Sequence, residues 1–131
     1  MQEVYDFLKD AGYYFLATAE GDQPRVRPFG TYIIYEDKLY IQTGKIKDVS
    51  KQMLQNPKIE ICAFKDGNWL RVTAEAVSDE RLEVKEYVLE QNPRLVEIGY
   101  KADDGNMHTL YLKNATATFQ SHAGVSKVIE F

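Results

Sequence analysis

The stretch Phe15-Leu16-Ala17-Thr18-Ala19-Glu20-Gly21-Asp22-Gln23-Pro24-Arg25-Val26-Arg27-Pro28-Phe29 decides how this chain is read. Tyr14 to Ala19 is strand-like, Glu20 to Gln23 carries turn residues, and the run from Pro24 to Tyr35 is rich in aromatic and β-branched residues. Two such runs around a Gly-Asp turn predict an antiparallel hairpin. Pro28, inside the second run, cannot donate to a ladder, so an edge, a bulge or a place where the backbone meets a ligand is expected there. Strand parity puts Arg25, Arg27 and Phe29 on one face. Two guanidiniums beside an aromatic ring suit a ligand that is anionic at one end and flat at the other.

Working outward, Val4, Phe7, Leu8 and Ala11 have the spacing of one helix face, and Gly12 is placed to stop that helix. Glu36-Asp37 turns the second strand back into Lys38–Thr43, and Gly44 ends it. Ile46, Val49, Met53 and Leu54 mark a short amphipathic helix ending before Asn56-Pro57. Strands are expected over Lys58–Phe64 and Trp69–Ala76, with Leu70, Val72, Ala74 and Ala76 on one face. Asp79 is placed to cap a third helix whose buried side carries Leu82, Val88 and Leu89, and Asn92-Pro93 closes it. In the last strand, Met107–Gln120, the apolar parity shifts near Lys113-Asn114, as a β-bulge would make it. These elements give a mainly β fold with flanking helices. The expected architecture is a barrel of about six antiparallel strands, six or seven in all, closed or nearly closed.

The segment Thr43-Gly44-Lys45-Ile46-Lys47-Asp48 runs from a strand end straight into a helix. A hydroxyl, a glycine permitting close backbone approach, two lysines and free amide groups at a helix start are the parts of a phosphate site. Charge supports this placement. The 131 residues carry a formal net charge of −4, yet residues 25 to 58 hold seven basic and three acidic side chains. An acidic protein with one basic segment points to a small anion held at one place, and argues against nucleic acid as a partner.

Other chemistry finds little footing. The lone Cys62 has no disulfide partner, and its place in an apolar strand suggests a buried small hydrophobe. His108 and His122 lack the spacing of a metal site, and there is no Gly-x-Ser-x-Gly, Walker loop or GxGxxG. The start Met1-Gln2-Glu3-Val4 has no basic n-region, and the longest uncharged stretch, Ala11 to Ala19, falls well below the roughly 20 residues of a membrane span. A single domain over residues 1 to 131, in the cytoplasm and away from membranes, is the expectation.

The order helix, Phe15–Ala19, Gly-Asp turn, Pro24-Arg25-Val26-Arg27-Pro28-Phe29, Leu39-Tyr40-Ile41, Thr43-Gly44-Lys45 and Asn56-Pro57 resembles the pyridoxamine 5′-phosphate oxidase-related family, from about Val4 to Val77. The resemblance implies an FMN-binding split β-barrel and a homodimer with two flavin sites at the interface. It also implies roles by position. Arg27 would reach the FMN phosphate, and Pro28 and Phe29 would run along the ring. Thr43, Gly44, Lys45 and Lys47 would grip the phosphate, and Trp69 would contact the flavin from the partner subunit. Arg25 is added from strand parity alone. The chain lacks the C-terminal arginine and histidine motif with which the oxidase proper holds its substrate, and Lys45-Ile46-Lys47 replaces its Arg-Lys pair. The expectation is therefore a flavin-dependent oxidoreductase of unspecified substrate, with NAD(P)H as candidate reductant. Its alternatives are a non-catalytic flavin carrier or stress or sensor protein on the same scaffold, and a barrel holding haem or another flat ring. No catalytic residue can be picked out.

Overall fold

A computed structural model describes all residues, 1 to 131. Helix α1 (Gln2–Ala11) buries Val4 and Leu8 completely, and Gly12, at φ 87°, ends it. Strands β1 (Tyr14–Glu20) and β2 (Gln23–Phe29) form the expected hairpin, in register from Tyr14 opposite Phe29 to Glu20 opposite Gln23. The expected single strand from Pro24 to Tyr35 is broken. β2 stops at Phe29, and a separate β3 (Ile33–Tyr35) pairs with β4 (Lys38–Gly44) instead of β1. The crossing at Gly30–Tyr32 is fixed by long-range bonds. Tyr14 Oη donates to Thr31 O at 2.6 Å, and Thr31 Oγ1 accepts from Gln42 N–H at 3.0 Å. The β3–β4 turn is tight, with Glu36 and Asp37 both at positive φ, as short hairpin turns require.

Helix α2 (Asp48–Gln55) turns Val49 and Met53 inward as expected, while Ile46 and Leu54 face solvent. β5 (Lys58–Lys65) and β6 (Asn68–Ser78) follow, then α3 (Leu82–Gln91), a short α4 (Pro93–Glu97), β7 (Met107–Ser121) and β8 (Gly124–Glu130). The strand order is β2-β1-β5-β6-β7-β4-β3. The long β7 is shared on one side: its first half pairs with β4 and its second half with β8. There are thus eight strands, not about six, and the sheet curls without closing, as a split barrel. Pro28 lies on the edge strand β2, where its missing N–H costs no ladder bond. The bulge falls where parity placed it: three steps on β7 (Lys113 to Thr116) oppose two on β6 (Thr73 to Glu75), with Asn114 at φ 52°.

The main core lies inside the curl and joins Leu16, Ile41, Ile61, Leu70 and Val72 to Val4, Leu8 and Met53 of the helices. On the other face of β3, β4 and β7, a second core of Ile33, Tyr40, Val84, Val88, Leu95 and Met107 is covered by α3 and α4. β4 is therefore buried on both faces, and Leu39 to Gly44 are all buried. Three expectations need correction. Asp79 does not cap α3, whose N-cap is Arg81; Asp79 instead accepts hydrogen bonds from the Arg81 backbone and side chain. Leu82 is exposed, and the buried side of α3 is Val84, Lys85 and Val88. Cys62 is only half-buried, because Ile59, Ile61 and Ala63 take the inner positions of β5 and leave it on the outer face.

Candidate functional site

Arg27 projects from β2 beside β1 and is immobilised by three acceptors. Its Nη1 donates to Leu16 O at 3.2 Å and to Thr18 Oγ1 at 2.7 Å, and its Nη2 donates to Gln52 Oε1 of α2 at 2.6 Å. Thr18 Oγ1 in turn donates to Gln52 Oε1 at 2.5 Å, and Gln52 Nε2 donates to Glu20 Oε2 at 3.3 Å. A guanidinium has five N–H donors. Three are spent on the frame, which leaves Nε–H and one Nη2–H of a rotationally fixed cation. Partial burial and the neighbouring Arg25 lower the Arg27 pKa, but an arginine keeps its charge at any physiological pH.

Lys47 stands at the head of α2 as its N-cap residue and makes no ion pair. Together with Glu20, Arg25, Arg27, Asp48 and Gln52 it lines a cleft of about 460 Å³. Arg25 is less free than its neighbour: it pairs with Glu20 Oε1 at 3.0 Å. Hydrogen bonds from Arg25, then Gln52, hold the Glu20 carboxyl below its usual range. Lys47 also borders a second cleft of about 340 Å³, walled by Pro28, Phe29, Gly30, Thr31, Gln42 and Thr43 on one side. Arg94, Leu95, Ile98 and Tyr100 wall the other side. A cationic recess thus abuts a longer, partly apolar slot at Lys47. That pair of environments can seat a small anion attached to a flat body.

Of the nine residues singled out from the sequence, Arg25, Arg27, Pro28, Phe29, Thr43 and Lys47 line these two adjoining clefts. Gly44, Lys45 and Trp69 do not. A Cβ on Gly44 would stand 2.8 Å from Tyr100 Oη and 3.0 Å from Asn106 Nδ2, so the glycine admits two side chains of this chain. Lys45 Nζ turns to Glu80 Oε2 at 2.9 Å, a carboxylate that also receives Lys85 Nζ at 2.9 Å. Trp69 opens β6 opposite Phe64, with its ring edge-on to His122 at 5.5 Å. Sequence reading missed Thr18 and Gln52, which hold Arg27, and Arg94 and Tyr100, which wall the slot. Nothing local marks Thr18, the single threonine of β1, and no local signal marks a glutamine on α2 as the partner of an arginine 25 residues earlier.

The family described as pyridoxamine 5′-phosphate oxidase matches residues 1–121. Among solved structures, a nimC/nimA family protein from Clostridium acetobutylicum is 45% identical, with a TM-score of 0.94 over 100% of this chain and 93% of that one. A pyridoxamine 5′-phosphate oxidase-related, FMN-binding protein from Nostoc punctiforme is 15% identical, with a TM-score of 0.64 over 99% and 95%. HutZ, the haem storage protein from Vibrio cholerae, is 14% identical, with a TM-score of 0.67 over 98% and 92%. These last two share the fold. No curated protein matches the chain. On the family match across residues 1–121 and the near-full-length likeness at 45% identity, the chain belongs to the pyridoxamine 5′-phosphate oxidase family.

Proposed function

We propose that this protein is an FMN-dependent oxidoreductase that works as a homodimer, with its substrate still to be identified. The observation that carries this reading is the fixed Arg27 guanidinium, with two unspent donors, beside the unpaired Lys47 at the head of α2. The FMN phosphate fits that recess: a dianion would take the two Arg27 donors, the Lys47 ammonium and the free N–H groups of the first α2 turn. The ring would lie along the Pro28–Thr31 and Thr43 wall. Bound FMN would supply hydride and single-electron transfer, and the chain would bind it, orient it and shape the substrate's access. Reduction by NAD(P)H is the matching source of electrons.

Haem is the rival ligand, since one structural neighbour is a haem storage protein. The two clefts are lined by guanidinium, ammonium, amide and hydroxyl groups with the Glu20 and Asp48 carboxylates and the Tyr100 phenol, and by no histidine, cysteine or methionine. That donor set suits a phosphate better than an iron. A second copy of the chain is supported by the uncovered outer face of the sheet. There Val26, Phe15 and Val128 are 68%, 45% and 56% exposed, with Phe64 at 63% beside Trp69. Exposed apolar residues collected on one sheet face are what an obligate partner covers, and such a partner could receive Trp69 at its own slot.

The test is direct. Protein purified with added FMN should show a flavin spectrum, bind FMN more tightly than riboflavin, elute as a dimer, and bleach on anaerobic addition of NADPH. A protein that stays colourless with FMN and takes up haem instead would overturn the reading. Tight FMN binding with no reduction by either nicotinamide would leave a carrier in its place.

A further inference from the structure

The segment from Gly44 to Ser50 carries Lys47, whose N–H donates to Gly44 O at 3.0 Å and whose carbonyl accepts from Ser50 N–H at 3.1 Å. Its anchors from outside the segment come from Asn106, just before β7, and from β7 itself. Lys45 N–H donates to Asn106 O at 2.6 Å, and Ile46 N–H donates to Asn106 Oδ1 at 3.1 Å. Two residues further along β7, His108 is fully buried and opposes Thr43 in the β4–β7 ladder. Its Nδ1 lies 2.7 Å from Ser50 Oγ in α2, and its Nε2 lies 2.7 Å from Ser78 Oγ at the end of β6. Burial lowers the His108 pKa and so favours the neutral ring, in which one nitrogen donates and the other accepts. One imidazole therefore ties α2 to β6, from a position on β7 paired with β4, with both ring nitrogens satisfied.

We propose that His108 is the positioning residue of the anion site. Through Ser50 it sets the height of α2, and with it Lys47 and the Gln52 that fixes Arg27, relative to the slot wall at Thr43. This rests on the flavin reading above. The argument is geometric: Ser50 and Gln52 sit on the same two turns of α2 as Lys47, so a helix released at Ser50 moves both phosphate-facing groups at once. Interior packing alone does not replace this bond. Val49 and Met53 hold the inner side of α2 against the main core, but contacts between apolar side chains are non-directional and tolerate small slides that a hydrogen bond does not. Nothing in the proposal requires His108 to touch the cofactor.

The test separates positioning from folding by using two flavins. FMN and riboflavin differ only in the phosphate, so a displaced α2 should weaken FMN selectively. Dissociation constants for both would be measured by flavin fluorescence quenching on the dimer. Ser50→Ala is expected to weaken FMN about fivefold to tenfold, the scale of one buried hydrogen bond, while riboflavin changes less than twofold. His108→Ala should do the same or more, and His108→Gln, which keeps one donor and one acceptor, should restore most of the FMN preference. If His108→Ala does not fold, Ser50→Ala decides alone. Equal loss of both flavins in Ser50→Ala, or no loss of either, would overturn the positioning role while leaving the FMN site intact. A wild-type protein with no preference for FMN over riboflavin would overturn the site itself, and this inference with it.

Discussion

Two charged clusters flank the head of α2, and they use their cations in opposite ways. Around Asp79 the charges consume one another. Arg81 reaches Asp79 Oδ2 at 2.9 Å, Glu36 at 2.7 Å and Glu83 at 3.2 Å, and Glu80 receives both Lys45 and Lys85 at 2.9 Å. Tyr40 Oη donates to Asp79 at 2.7 Å, and Thr109 Oγ1 donates to Asp79 O. Around Arg27 the partners are neutral: a backbone carbonyl, a hydroxyl and an amide oxygen. These orient the guanidinium without cancelling its charge, and Lys47 beside it makes no salt bridge, although Glu20 and Asp48 line the same cleft. The first arrangement is what a structural network looks like, and the second is what an anion site looks like. Density of basic residues in the sequence cannot tell them apart, because Lys45 and Lys47 are two residues apart and belong to different clusters.

The sharpest way to break this contrast is Arg27→Ala. Two charge-assisted donors are lost, so FMN binding should fall about 100-fold, with riboflavin affected only a few-fold. Equal losses for the two flavins, read by fluorescence titration, would show that Arg27 does not face the phosphate. Lys47→Ala removes a solvent-exposed point charge and should cost about tenfold in FMN affinity. It should also flatten the salt dependence of binding, since an exposed charge is screened. A salt slope identical to wild type would move Lys47 out of the site.

The legible parts of this fold are the ones whose evidence is local. The β1–β2 hairpin, the β5–β6 pair and the bulge at Asn114 follow from parity and turn residues within a few positions. The crossing at Gly30–Tyr32 does not. Thr31 to Tyr35 reads as a continuation of β2, and what divides it is Tyr14 and Gln42, partners 17 and 11 residues away. β8 was missed because most of its residues are exposed, so no alternation marks it. Asp79 has the local signature of a cap but a distant partner in Tyr40. The site divides in the same way. Residue type and position nominate Arg27 and Lys47 for the candidate site, whereas Thr18 and Gln52, which make Arg27 a fixed cation, are visible only once β1 and α2 are packed.

The Asp79 cluster should respond to acid and not to flavin. Hydrogen bonds from Arg81, with Tyr40 adding to them against a burial penalty, hold the Asp79 carboxyl at about 2. A carboxylate whose pKa is depressed on folding contributes stability above its unfolded value of about 4, and loses it as pH falls toward 2. Asp79→Asn is therefore expected to cost about 1 kcal/mol of unfolding free energy at pH 7. The gap from wild type should narrow in denaturant melts taken at successively lower pH between 4 and 2. A pH-independent gap would assign the loss to packing.

Lys45→Ala tests the contrast at its weakest point, and the expected effect is the smallest. Residue type and proximity to Lys47 both nominate Lys45 for the phosphate, and the resemblance to the family's basic pair nominates it again. The structure gives its ammonium to Glu80 at 2.9 Å, and Glu80 keeps Lys85 when Lys45 is removed. Burial by itself would raise the Glu80 carboxyl; the two lysines outweigh it and hold the group below its usual range, so one of them can leave without stranding a charge. FMN affinity in Lys45→Ala should stay within about twofold of wild type, and stability should change by less than about 0.5 kcal/mol, as for an exposed pair. A loss as large as that of Lys47→Ala would mean that Lys45 leaves Glu80 when the anion arrives. The dividing line between the two clusters would then be set by the ligand and not by the fold.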